Sequence, residues 1–109
     1  MATVDNFLKL DIRVGRIISV KDFPEARKPS YKLRVDFGKY GIKRSSAQIT
    51  KLYSKEDLMN RQVVAVTNFP PKKIADFKSE VLVLGVMLED GKIVLLQPDR
   101  ETPLGYKIA

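Results

Sequence analysis

Lys32 and Arg34 stand one residue apart in the segment YKLRVDFG, and Lys43 and Arg44 follow a short stretch bracketed by glycines. These are the side chains whose type and spacing point most directly to a chemistry, and that chemistry is the neutralisation of negative charge. Between Arg27 and Arg44 the chain carries seven cations (Arg27, Lys28, Lys32, Arg34, Lys39, Lys43 and Arg44) and one acid, Asp36. A strand face that serves only solubility mixes both signs, although lysines on strand edges also deter pairing with other chains. A second basic group, Lys72, Lys73 and Lys78, is interleaved with Ile74 and Phe77 and follows Phe69. Tyr40 and Tyr53 are candidate stacking platforms for bases, because a tyrosine can present one ring face.

The residues needed for bond making are absent or isolated. There is no histidine and no cysteine. That removes the commonest general base, the usual zinc ligands, the thiol nucleophile and disulfides. Ser45 and Ser46 have no histidine to activate them, and GKYG lacks the phosphate-cradling pattern of a glycine-rich loop before a helix. The carboxylates, such as Asp11, Asp36 and Glu80, are scattered. No catalytic residue, metal or cofactor is expected.

Twenty Lys and Arg against thirteen Asp and Glu give a net charge of +7 over 109 residues. Such a balance favours nucleic acid, an acidic protein surface or anionic lipid. The apolar runs, such as VLVLGVML, are too short to span a bilayer. The opening MATVDNFLKLDIRVG lacks the basic-then-apolar order of a leader. A cytoplasmic protein without membrane insertion is the expectation.

A small β-rich domain, residues 1–109, must position these cations. Turn signals divide the chain into short apolar pieces. Ile12 to Val20 is the first strand, with Gly15 interrupting a β-branched run where a bulge or sharp coil would fit. FPEARKP is a loop, Tyr31 to Phe37 the second strand, and Ile42 to about Ile49 the third. Ser54, with Asp57 three residues on, caps a short helix. Val63 to Phe69 reads as a buried strand, PPKKIADFKSE as a structured loop, and VLVLGVML as one further strand. The Asp-Gly turn of EDGK joins that strand to IVLLQP. One helix between strands three and four fits an all-β, five-stranded OB-fold barrel, which binds oligonucleotides on the face of strands two and three.

The segments DIRVGRI, KLRVDFG and LMNRQVVAVTNFPPKKIADFKSEVLVLG, in this order, resemble the tRNA-binding domain family. KRSSAQIT, NFPP, SEVLVLG and LLQPD are similar to its CsaA subgroup of secretion-associated chaperones. The resemblance implies an OB-fold with terminal extensions that support a homodimer, through the tract before the first strand and the segment after Pro98. It also implies two kinds of partner: tRNA or other structured RNA, and unfolded or preprotein polypeptides. Asn68, Pro71, Lys73 and Ser79 match the family's stretch near its RNA-contacting face. The expected RNA-binding set is Lys32, Arg34, Lys43, Arg44, Asn68, Lys72, Lys73 and Ser79. Phe23, Phe69 and Phe77 are the expected peptide-binding residues. The chain departs from the family at Phe23-Pro24 and Arg27, where His-Pro and Asp are usual, and at Ala47-Gln48, where Ser-Gly is usual.

Overall fold

Strand β1 (Ile12–Asp22) is the spine of this computed structural model, which describes residues 1–109. Its first half, Ile12 to Arg16, runs antiparallel to β4 (Gln62–Val66), and its second half, Arg16 to Asp22, to β2 (Tyr31–Asp36). A strand serving two partners in succession must bend, and a bulge between Ile17 and Ser19 provides the bend. Gly15 lies upstream of that bulge, and its role is space rather than bending. A Cβ there would stand 2.5 Å from Val35 Cγ1 and 2.8 Å from Phe37 Cε1.

Strand β3 (Ile42–Ala47) pairs with β2, and β7 (Leu82–Val83) pairs with β4, so the sheet runs β3-β2-β1-β4-β7. Its two edges meet. The amides of Glu80 and Val81 donate to the Arg44 carbonyl at 2.8 and 3.3 Å, and the buried Ser45 hydroxyl donates to the Val81 carbonyl at 2.8 Å. The result is a nearly closed five-stranded antiparallel barrel, an OB-fold. Helix α2 (Lys55–Leu58) falls between β3 and β4, as the capping signal predicts. Ser54 Oγ accepts from the Asp57 amide and Asp57 Oδ2 accepts from the Ser54 amide, so Asp completes the box in place of Glu. Leu58 enters the core beside Ile17, Leu33, Val35, Phe37 and Val63.

Strand β4 is buried along its whole length because both of its faces are covered. Val63 and Ala65 face the barrel core, while Val64 and Val66 join Ile12, Leu10, Leu84 and Ile108 outside it. The segment from Gly105 to Ile108 supplies that outer cover. Gly105 and Ile108 donate to Val14 and Ile12, Val14 donates to Tyr106, and Arg13 bridges Lys107.

The structure corrects four sequence expectations. The tract before β1 contains a helix, α1 (Val4–Leu8), capped reciprocally by Thr3 and Asn6. Strand β4 ends at Val66 rather than Phe69, because Thr67 and Asn68 turn to bond Asp11 and Lys9. The supposed loop after Pro71 is a hairpin of β5 (Lys72–Ile74) and β6 (Phe77–Ser79), with Ala75 at φ +51° in its turn. The run VLVLGVML is two strands, β7 and β8 (Gly85–Met87), broken where the Leu84 amide reaches back to the Val64 carbonyl. Strand β8 then pairs with β9 (Ile93–Leu95) across Asp90 and Gly91, both at positive φ.

Candidate nucleic-acid interface

Antiparallel partners in register project to the same side of a sheet. On β2, Tyr31, Leu33 and Val35 point inward and are buried, so Lys32 and Arg34 point outward together. The register then sets Lys21 opposite Lys32 on one side, with Ser46 opposite it on the other. Arg34 lies between Ser19 and Arg44. Two like-charge pairs, Lys21 with Lys32 and Arg34 with Arg44, therefore sit directly opposite each other on one exposed face. The β5–β6 hairpin flanks β3 and adds a third, Lys73 with Lys78. Like charges in such positions are destabilising. Among these six only Arg44 has an acid within 4.0 Å, Glu80 at 3.4 Å.

Lys21 is absent from the sequence-predicted set because the strand-one bulge decides its partner, and nothing in the sequence shows that register. Lys43 is in the set but lies elsewhere. It is paired with Val35 and so shares the inward-pointing parity, at the barrel rim. Lys72 is exposed on the hairpin. Asn68 and Ser79 both use their polar atoms within the chain. Asn68 accepts from the Asp11 amide at 2.9 Å and donates to the Lys9 carbonyl at 2.8 Å, and Ser79 Oγ accepts from the Ser46 amide at 3.0 Å. Both fix the frame around the basic face.

Of the three phenylalanines, Phe23 and Phe77 come together edge to face with centroids 5.4 Å apart. Lys32 Nζ lies 5.0 and 5.8 Å from the two ring centres, within range of a cation–π attraction. With Glu25, Ala75 and Asp76 they line an open cavity of about 160 Å³. Phe23 is 4% exposed, so Phe77 offers the more accessible ring. Phe69 is 43% exposed and is no part of this cavity. Tyr53 is tied inward, its hydroxyl accepting from the Leu95 amide, whereas Tyr40 is open on the rim.

Two carboxylates are held below their ordinary range. Asp11 is held there by the Thr67 hydroxyl and the Arg13 guanidinium. Burial pushes Glu80 up, but the Arg44 amide and guanidinium outweigh it and leave the group low. Asp11 is thus committed to Arg13 of the frame and Glu80 to Arg44, and the other outward cations have no acid within 4.0 Å. No cluster of acids fit to hold a metal is present.

A family profile described as "Putative tRNA binding domain" matches residues 12–107. The chain belongs to the tRNA-binding domain family. Within that family it falls in the CsaA subgroup. It is 56% identical to the chaperone CsaA of Bacillus anthracis str. Ames, covering 100% of this chain and 99% of that one, with a TM-score of 0.96. The CsaA chaperone protein of Picrophilus torridus is also 56% identical, with complete coverage of both chains and a TM-score of 0.93. The methionine–tRNA ligase of Thermococcus onnurineus (strain NA1) is 42% identical over 105 residues. This tRNA-binding domain spans 14% of that ligase's length, so the likeness concerns an appended domain of the enzyme. No helix of the chain is long and apolar enough to cross a membrane.

Proposed function

We propose that the chain acts as a homodimeric chaperone of the CsaA type in the cytoplasm, without catalysis of its own. It holds structured RNA, tRNA in particular, on the outward face of β2 and β3, and unfolded or preprotein segments in the cavity at Phe23 and Phe77. The observation that carries the RNA reading is the set of three like-charge pairs in direct cross-strand register. An anionic partner would relieve this mutual repulsion on binding. Phosphate contacts fix position but carry little sequence information, so discrimination on this face falls to RNA shape and 2′-hydroxyls.

The test is tRNA affinity as a function of salt. Each engaged cation contributes a log–log slope of about 0.7 to 0.9. An affinity that stays flat from low to physiological salt would sink the RNA reading.

A polypeptide ligand is favoured by the cavity between an accessible ring and a lysine stem, and by the 56% identity to two chaperones. Lys32 belongs to both surfaces, so bound tRNA and bound peptide compete. A dedicated tRNA-binding protein without a chaperone role is the alternative. It predicts no retention of unfolded polypeptide and no suppression of aggregation. Dimerisation is supported by apolar side chains left in solvent: Val4 and Leu8 on α1, Val86, Met87 and Val94 on the β8–β9 hairpin, and Tyr106. A single sharp species of monomer mass in sedimentation at micromolar concentration would overturn it.

A further inference from the structure

Lys43 is the strand cation of the expected binding set that the outward face does not use. Its inward parity leaves it half-buried at the rim, with no acid within 4.0 Å. A cation so placed is open to an anionic ligand. It opens into a cavity of about 220 Å³ bounded also by Asp11, Arg13, Phe37, Tyr40 and Thr67. At about 30 Å³ per water this is roughly seven water volumes, room for a polyatomic group.

The opposite wall of the cavity is rigid. Arg13 donates through Nε to Asp11 Oδ2 at 3.0 Å and through Nη1 to the Gly105 carbonyl at 2.7 Å. Its guanidinium carbon stands 3.8 Å from the centre of the Tyr40 ring. The same Asp11 oxygen accepts the Thr67 hydroxyl at 2.6 Å, so the acid in the cavity is already neutralised by its neighbours. Nε and Nη1 of Arg13 are engaged within the chain, which leaves Nη2, and Arg13 lines the same cavity as Lys43. The site thus offers a fixed guanidinium edge and a movable ammonium, a combination suited to a tetrahedral oxyanion.

We propose that this cavity seats a phosphate group of bound RNA between Lys43 Nζ and Arg13 Nη2, as a second anchor apart from the outward face. The proposal rests on the RNA reading above. It adds a shape requirement, because the two anchors lie on opposite sides of the β2–β3 ribbon. A backbone that engages both must turn around the link between those strands. Gly41 in that link has nothing within 4 Å of where a Cβ would be, so bare main chain is presented at the crossing. RNA that bends sharply or carries a free strand meets the requirement, and a straight duplex lying on one face does not.

The experiment compares the wild-type chain, Lys43→Met and the remote control Lys92→Met, with tRNA and with a straight RNA duplex, over a salt series. Methionine keeps the apolar stem and removes the charge, and a thermal melt of each variant checks the fold; Lys43→Gln serves if Lys43→Met is disturbed. The expected result is a three- to tenfold loss of tRNA affinity at about 50 mM salt. The salt slope should fall by about 0.7 to 0.9, with duplex affinity and the Lys92→Met control unchanged. Unchanged tRNA binding by Lys43→Met would overturn this proposal alone, as would an equal loss for tRNA and duplex. So would competition of inorganic phosphate against tRNA that is the same in wild type and variant. A wild-type chain that binds no RNA would overturn the RNA reading and this proposal with it.

Discussion

The outward face of β1, β2 and β3 and the exposed β8–β9 hairpin both carry side chains that an isolated domain would be better without. One gathers Lys21, Lys32, Arg34 and Arg44 in register; the other exposes Val86, Met87 and Val94, with Met87 83% exposed. The physics of the two costs differs. Repulsion between surface cations is screened by salt over a Debye length of about 8 Å at physiological strength. Exposed methyl and methylene groups remain unfavourable at any salt concentration, and excluded salts strengthen their burial. Rising salt should therefore weaken an anionic ligand's hold on the first surface while it leaves apolar burial at the second intact.

The largest expected effect on this comparison comes from the double variant Lys32→Glu with Arg34→Glu. It should lower tRNA affinity on the order of a hundredfold at low salt. The melting temperature should hold or rise slightly, since two like-charge pairs become opposite-charge pairs worth a few tenths of a kcal/mol each. Binding assays beside a thermal melt would show both, and a large loss of stability would mean that these cations are structural. Next comes Val86→Glu with Val94→Glu, opposite each other on the hairpin. Sedimentation should show monomers, and tRNA affinity should fall about tenfold through lost bivalency while the salt slope per protomer holds.

A smaller effect is expected from Phe77→Ala. Removing a half-buried ring should weaken peptide binding several-fold, cost about 1–2 kcal/mol of unfolding free energy in denaturant titration, and leave tRNA affinity within twofold. An unfolded variant would mark Phe77 as packing alone. The smallest is acid sensitivity. Asp11 has a lowered pKa in the folded chain, so its contribution is present above the unfolded value of about 3.9 and is lost as pH falls through the folded one. Urea midpoints at pH 7 and pH 3 should therefore differ less for Asp11→Asn than for wild type.

Much of the barrel was legible because its signals are local. Ser54 with Asp57 marks the helix, alternation marks β2, and the unbroken apolar run of β4 reports burial on both faces. The errors arose where long-range contacts decide. The partner of Lys21 depends on the bulge at Ile17–Ser19, and the break at Leu84 depends on a hydrogen bond to Val64. Lys43 and Arg44 were grouped because they are adjacent, yet neighbours on a strand face opposite ways. The Phe23–Phe77 contact joins residues 54 apart, and only the β5–β6 hairpin, whose pairing no local signal marks, brings them together.

The first half of β1 takes its hydrogen bonds from β4 on one side and from Gly105–Ile108 on the other. Until residues 105–108 dock, the first half of that strand has backbone partners on one side alone and Ile12 lacks its cover by Ile108. That seam is an unpaired strand edge of the kind that mispairs with a neighbouring chain during folding.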